Sequence, residues 1–462
     1  MVQTLAERSL KAVWHPCTQM WQADRDPPLP VVSANGPWLE LEGGQRLFDG
    51  IGSWWVNLLG HGHPRVVAAL KDQLDTLSHI MLAGFTHEPA VALAERLSAL
   101  THGHLGHCFF ASDGASAVEI ALKMSAHSML ERGQPGRNRY VCLAQSYHGE
   151  TVGALSVTDV PLFRGAYASL LREPLTAPSP DPRLAPDGYS EEAWAEQAAR
   201  SIERLLESQG HTICAVILEP LVQAAAGMAI YSAHYLRRVR EITRAHGVHL
   251  IADEIAVGCG RTGTFFASEQ AIRSPSNASE WPDFICLSKG ISGGFLPLSL
   301  VLCQESIYQA FYHPQTSRGF LHSHSYSGNP LACRAAVTVL DVLEQERILE
   351  RTAVAATALT SALRDQLTPA LASGALHHFR NLGSIWAVDL SPECARGGAA
   401  QQIRAAARAR GLLLRPIGPT VYLMPPYVLH EGHVEWLADQ FAGSLLEGLH
   451  QRATGPTPPA LP

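Results

Sequence analysis

Two short apolar runs end abruptly in charged residues, and their types and spacing could do chemistry. The first is Gly247-Val248-His249-Leu250-Ile251-Ala252-Asp253-Glu254-Ile255, and the second is Asp283-Phe284-Ile285-Cys286-Leu287-Ser288-Lys289-Gly290. A brief apolar run bounded by turn formers reads as a buried strand of a parallel sheet. Ligands of open α/β sheets sit just beyond the carboxyl ends of such strands. Asp253 and Lys289 therefore stand where chemistry is done, 36 residues apart, about one strand–crossover–strand unit. A carboxylate and a lysine so placed suit a cofactor carrying a cationic aromatic nitrogen at one end and an aldehyde at the other. The same pair also fits a surface ion pair, so the flanking segments have to decide.

Those segments read as alternating strands and helices. His107-Cys108-Phe109-Phe110-Ala111 is a strand, followed by Ser112-Asp113-Gly114-Ala115-Ser116 and a helix over 117–130. A strand, a glycine turn and a helix N-terminus present free backbone N–H groups to an anion such as phosphate, and they equally describe an ordinary capped turn. Tyr140-Val141-Cys142-Leu143 leads to Ser146-Tyr147-His148-Gly149-Glu150, which sets an aromatic at a strand end. Ile213–Leu218 leads to Glu219-Pro220. Helices are expected at 65–101 (two), 190–209, 233–246 and 330–346. Gly258-Cys259-Gly260-Arg261-Thr262-Gly263 matches a dinucleotide fingerprint in form, but Asp253-Glu254 intervene and no clear helix follows, so the match is discounted.

Toward the ends the pattern changes. Residues 1–30, with Trp14-His15-Pro16-Cys17, read as an ordered arm without a helix, and 31–49 as a small antiparallel element turning at Gly43-Gly44. Gly52-Ser53-Trp54-Trp55 puts two indoles in a glycine-rich loop. Both could pack in a core, or one could face a ligand. Beyond 346, helices at 351–366, 399–410 and 432–448 alternate with a strand at 383–389. The division expected is 1–65 (arm and part of a small domain), 66–340 (large domain), 341–452 (C-terminal small domain) and a Pro-rich disordered tail at 453–462.

A net charge of −7, from 35 basic and 42 acidic residues without a long basic run, argues against nucleic acid or anionic membrane as partner. Nine scattered cysteines without a C-x-x-C pair fit a reducing cytoplasm. Neither a signal peptide nor an apolar membrane span is expected, and neither histidine cluster (His102, His104 and His107, or His322 and His324) has the setting of a metal site. G-x-S-x-G and H-E-x-x-H are absent.

Together, in this order, these motifs resemble the fold-type I pyridoxal-phosphate enzymes, and within them the class III (ω) aminotransferases. The resemblance spans nearly the whole chain. Its most specific part is Ile251–Ile255, then Gly258–Gly263, then Lys289. Trp14-His15-Pro16, Gly52–Trp55, Ser146–Gly149, Arg415-Pro416 and Tyr422–Tyr427 point to a subgroup, as does Ala256 where many relatives have Gln. That subgroup uses S-adenosylmethionine to aminate 8-amino-7-oxononanoate, a step of biotin biosynthesis. The resemblance implies an α/β fold, a large domain with a mostly parallel sheet plus a small α+β domain, and pyridoxal 5'-phosphate as cofactor. It also implies a homodimer with shared active sites. Lys289 would carry the cofactor as a Schiff base and shuttle the proton. Asp253 would meet the pyridine nitrogen, Tyr147 stack on the ring, and Gly114 and Ala115 bind the phosphate with Ser325 of a second subunit. Glu219 would lie near the Schiff base. Arg415 would clamp a substrate carboxylate, with Trp54, Tyr147, Tyr422 and the position of Cys17 lining the pocket. A glycine at position 324, just before Ser325, is counted with that substrate lining. Three positions depart from the subgroup. Glu150 replaces Asp, Ser325 stands in an H-S-H-S-Y variant of H-x-x-T, and Cys17 replaces a Tyr that contacts substrate. Cys17 bears on the amino donor, for which lysine is a second candidate. Other readings are a broad class III aminotransferase of ω-amino acids or diamines, and a non-catalytic cofactor-binding regulator.

Overall fold

A computed structural model of the chain describes residues 3–454. At its centre is a seven-stranded sheet. The spatial order is His107–Ala111, Ser299–Cys303, Phe284–Leu287, His249–Asp253, Ile213–Leu218, Arg139–Leu143, Leu175–Ala177. Only Ser299–Cys303 runs against its neighbours. The four strands from Ser299–Cys303 to Ile213–Leu218 are buried along their whole length, as continuous apolar runs in a parallel sheet must be when helices cover both faces. The helix Gly114–Glu131 packs on Ile251, Phe284, Cys286 and Val301. Glu191–Gln209 and Ala233–Ala245 pack on Val141, Val216 and Leu250. Pro330–Gln345 and Glu88–Leu100 cover Ile285, Leu287, Leu300 and Leu302.

This topology brings the chemistry to one sheet edge. Ala252 lies opposite Leu218 and Asp253 opposite Cys286. Parallel strands exit on the same side, so the residues at and just after their ends, Glu219, Asp253 and Lys289, come level with one another.

The two chain ends build a second core together. Val31–Asn35, Trp38–Leu41 and Arg46–Asp49 form an antiparallel sheet that Leu412–Leu413 joins in parallel. Phe48 packs with Leu359, Leu363, Trp386, Leu412 and Phe441. A separate antiparallel sheet comprises Leu376–Leu382, Ile385–Leu390 and Thr420–Leu423.

Three expectations change. The arm does contain a helix, Leu5–Ala12, held by a capping box: Thr4 Oγ1 accepts the Glu7 N–H at 3.2 Å, and the Glu7 carboxylate accepts the Thr4 N–H at 2.8 Å. None of its residues is buried, so it is set by its cap and carries no buried apolar stripe to read. Strand Leu376–Leu382 escapes the alternation test because its register shifts between His377 and Arg380. The last helix, Glu431–Thr454, takes in the first two residues assigned to the tail; the rest of that tail lies outside the described residues.

Among the described residues no helix is long and apolar enough to cross a membrane.

Candidate active site

Lys289 leaves its strand in a left-handed conformation, φ 44°, at the start of the turn Lys289–Ser292. A non-glycine residue there is strained, and the strain turns the lysine off the strand end. Its Nζ stands 4.8 Å from the centre of the Trp55 ring. Burial lowers the pKa of the amine, while Asp253 and Glu219 oppose that shift. A lowered pKa favours the neutral amine that nucleophilic attack or proton transfer requires.

Asp253 is buried, and its Oδ2 lies 2.7 Å from Nδ1 of the equally buried His148. An ionised carboxylate only accepts, so Nδ1 donates. Oδ1 accepts the Ile255 N–H at 3.1 Å. The His148 backbone N–H donates to Thr158 Oγ1 at 2.9 Å, and Nε2 is buried without a partner. Beside this pair lies Glu219, whose two oxygens accept the N–H groups of Tyr147 (3.1 Å) and Ala224 (3.0 Å). Burial raises its pKa to about 7, an effect His148 moderates and Asp253 reinforces. Tyr147 is thus fixed by its backbone. Its hydroxyl donates to Glu150 at 3.0 Å, and its ring meets Phe163 at 5.3 Å.

The helix Gly114–Glu131 begins at this edge. Its N-cap Asp113 takes the Ser116 N–H at 3.0 Å and the Ser116 hydroxyl at 2.8 Å, leaving the N–H groups of Gly114 and Ala115 at the open first turn. A Cβ at position 114 would lie 3.0 Å from the Ile255 side chain, a tight approach that glycine avoids. Ser325 is exposed, and its carbonyl faces Nε2 of His79 at 2.8 Å. In one chain it is not tied to the Gly114–Ala115 turn.

The glycine contact expected at position 324 is wrong, because residue 324 is a histidine, His324, and the glycine of this segment is Gly328. A histidine cannot offer the bare backbone that a glycine contact supposes. His324 instead bonds within its loop and to the turn before the helix at Gly114: its N–H donates to Ser327 Oγ at 3.1 Å, its ring is 5.2 Å from that of His322, and its Nδ1 lies 3.4 Å from Ser112 Oγ. It is removed from the substrate lining.

At the mouth, the Arg415 guanidinium lies 4.6 Å from the Trp54 ring centre and donates to the Cys17 carbonyl at 3.2 Å. Trp54 is 40% exposed and Trp55 only 5%, so the two indoles divide as a loop requires. Tyr422 is buried, and its hydroxyl accepts the Trp55 indole N–H at 3.1 Å. The Cys17 thiol sits near Glu150 and Arg415, and partial burial raises its pKa. Arg261, from the glycine-rich stretch, is buried and donates to the carbonyls of Trp55 (3.3 Å), Asn57 (3.1 Å) and Pro425 (2.5 Å). That stretch therefore ties the Trp55 loop to the C-terminal segment and serves no dinucleotide.

The fold thus gathers Lys289, Asp253, Glu219 and Tyr147 at one edge, joins Arg415, Trp54 and Cys17 at a mouth, and leaves Ser325 outward. Sequence reasoning missed His148, Trp55 and Phe163 as site residues. His148 and Trp55 lay inside motifs already singled out. The signal for His148 was a polar residue two positions from a strand-end serine, and for Phe163 there was none. The residues fit pyridoxal phosphate: a lysine of lowered pKa, an acceptor carboxylate braced by a histidine with an orphaned buried Nε2, and a helix N-terminus with free N–H groups at Gly114 and Ala115.

Comparison with known proteins agrees with this geometry. The family described as aminotransferase class-III matches residues 20–445, and the chain belongs to that family of fold-type I, pyridoxal-phosphate-dependent enzymes. The adenosylmethionine-8-amino-7-oxononanoate aminotransferase of Helicobacter pylori is 41% identical over 93% of this chain and 95% of its own. That of Synechococcus elongatus is 40% identical over 90% and 94%. Among solved structures, the aminotransferase of the same name from Methanocaldococcus jannaschii superposes with a TM-score of 0.87 at 30% identity, covering 96% of this chain and 98% of that one. The omega transaminase from Pseudomonas jessenii in complex with PMP gives 0.91 at 25% identity, covering 98% and 100%.

Proposed function

We propose that this chain moves the amino group of S-adenosylmethionine to 8-amino-7-oxononanoate, forming 7,8-diaminononanoate for biotin biosynthesis. What carries the reading is that a relative of that name, 41% identical, aligns over 93% of the chain, while Lys289 and Asp253 stand at adjacent strand ends with an arginine at the mouth.

Bound pyridoxal phosphate supplies an electron sink for the carbon losing its proton. The chain's residues do the rest. Asp253, oriented by His148, would meet the ring nitrogen and favour its protonated form. The free N–H groups of Gly114 and Ala115 and the helix dipole would hold the phosphate. Tyr147, positioned through Glu219, would cover the ring. Lys289 would hold the cofactor and carry the proton, the pKa of its amine being lowered by burial. Arg415 binds the substrate carboxylate through its fork while Trp54 covers one face of the guanidinium. The indole also offers an aromatic face to a sulfonium cation.

A second reading, a broader aminotransferase using lysine or other amines, draws on Cys17. This residue meets Arg415 through its carbonyl, where a thiol is a weak donor and no aromatic face. A homodimer is part of the proposal: Ser325 and its neighbours Leu321 (77% exposed) and Tyr326 (64%) face outward, and a second copy would bring Ser325 to the phosphate. Nine free cysteines support a reducing cytoplasm.

The test is growth without biotin of a strain lacking its own enzyme for this step. The chain should restore growth and Lys289→Ala should not; failure of a well-expressed wild-type chain would reject the substrate assignment.

A further inference from the structure

Four consecutive residues, Gly52, Ser53, Trp54 and Trp55, have φ of 54°, 47°, 68° and 72°. Glycine adopts such angles without cost, but three non-glycine residues in a row do not, and strain of this kind persists only where surroundings impose it. What imposes it is visible. The Asp49 carboxylate is fully buried. Oδ1 accepts the Ser53 N–H at 2.9 Å, and Oδ2 accepts both the Ser53 hydroxyl at 2.7 Å and Nε2 of His61 at 3.0 Å. His61 is itself anchored, exchanging backbone hydrogen bonds with Gly36 at 2.9 and 2.7 Å. The strained turn carries two rings to two different parts of the site: Trp55 against Lys289 and Trp54 against Arg415.

We propose that Asp49 and His61 are positioning residues, a buried carboxylate paired with a half-buried imidazole, that hold the Ser53–Trp55 turn in its left-handed form and thereby set one aromatic wall at the reactive lysine and another at the carboxylate-binding arginine. Neither touches substrate or cofactor; each acts through Ser53. For its kinetic consequence this rests on the aminotransferase reading, and for its structural consequence it does not.

The test uses the full chain. The near-ultraviolet circular dichroism of the apoprotein is recorded first, with Trp54→Phe and Trp55→Phe identifying the bands of the two indoles. Asp49→Ala, His61→Ala and Ser53→Ala should then lose those bands while the far-ultraviolet spectrum stays. In the cofactor-loaded enzyme KM for 8-amino-7-oxononanoate should rise roughly tenfold, the effect of losing about one charge-assisted hydrogen bond, with kcat falling less. His61→Gln, which retains an N–H donor, should restore both to within about threefold. Should Asp49→Ala not fold, the exposed-edge changes at His61 and Ser53 decide alone. Indole bands and KM unchanged in His61→Ala and Ser53→Ala would overturn the proposal, as would a loss that His61→Gln does not repair. If wild type itself fails to aminate 8-amino-7-oxononanoate, the functional reading falls, while the indole bands still decide the role of the pair.

Discussion

Replacing His148 with alanine isolates what the imidazole does for Asp253. The bond removed is buried on both sides and spans 2.7 Å between Nδ1 and Oδ2, so it belongs with charge-assisted hydrogen bonds, whose loss costs about 2 kcal/mol. Without it, Asp253 keeps only the Ile255 N–H at 3.1 Å. The freed carboxylate turns less surely toward the ring nitrogen, and its charge is less well stabilised. If the whole cost falls on cofactor binding, about 2 kcal/mol is roughly thirtyfold in the dissociation constant. Pyridoxamine phosphate is the right probe because it does not attach to Lys289, so the measurement is free of the covalent bond. Titrating apoprotein with it by equilibrium dialysis should show roughly thirtyfold weaker binding for His148→Ala. His148→Asn puts an amide N–H near the place of Nδ1 and should recover most of the loss. Equal affinity of wild type and His148→Ala would refute the reasoning, because His148 would then not brace the cofactor-binding carboxylate.

Arg415→Lys keeps the charge but loses the fork and the stacking on Trp54, so KM for the carboxylate-bearing acceptor should rise roughly 10- to 100-fold with less change in kcat; steady-state kinetics check this. Cys17→Tyr should shift the ratio of kcat/KM for adenosylmethionine over lysine upward by roughly tenfold, and an unchanged donor profile would remove Cys17 from the specificity argument. His249 is buried, with its Nδ1 2.8 Å from Ser125 Oγ, and burial lowers its pKa from 6.5 to about 4. A lowered folded-state pKa means that its stabilising contribution is present above pH 6.5 and is lost as pH falls toward 4. The integrated loss is about 3 kcal/mol. Denaturant titrations across that window should be steeper in pH for wild type than for His249→Asn.

What could be read in advance follows the physics of each element. The central strands are buried on both faces, so their apolar runs and charged ends, Asp253, Glu219 and Lys289, are plain in sequence. The glycine turn before the helix at Gly114 is equally plain. Pairings across the chain are not: His148 reaches Asp253 over 105 positions, and Trp55 finds Lys289 only because Arg261 and Tyr422 hold its loop from distant segments. Polar bracing of this sort has no periodicity. The left-handed run at Ser53–Trp55 depends on Asp49, four residues before, through side-chain bonds that no propensity describes. Around Ser325 the loop has neither strand nor helix period, so its pattern does not show that His324 reaches Ser112, 212 positions away. The capping box Thr4–Glu7 is legible in the sequence, but its helix buries nothing and so carries no apolar stripe beside it.

The most direct test of the central claim is a single-turnover experiment on the cofactor-loaded protein. Adenosylmethionine is added, the visible cofactor absorbance is followed, and then 8-amino-7-oxononanoate is supplied and the products are identified by mass spectrometry. The account predicts loss of the visible band with adenosylmethionine, its return with 8-amino-7-oxononanoate, formation of 7,8-diaminononanoate, and no response in Lys289→Ala. A band that responds to lysine or other amines but not to adenosylmethionine would contradict the donor assignment, and a band that responds to no amine would contradict the aminotransferase account itself.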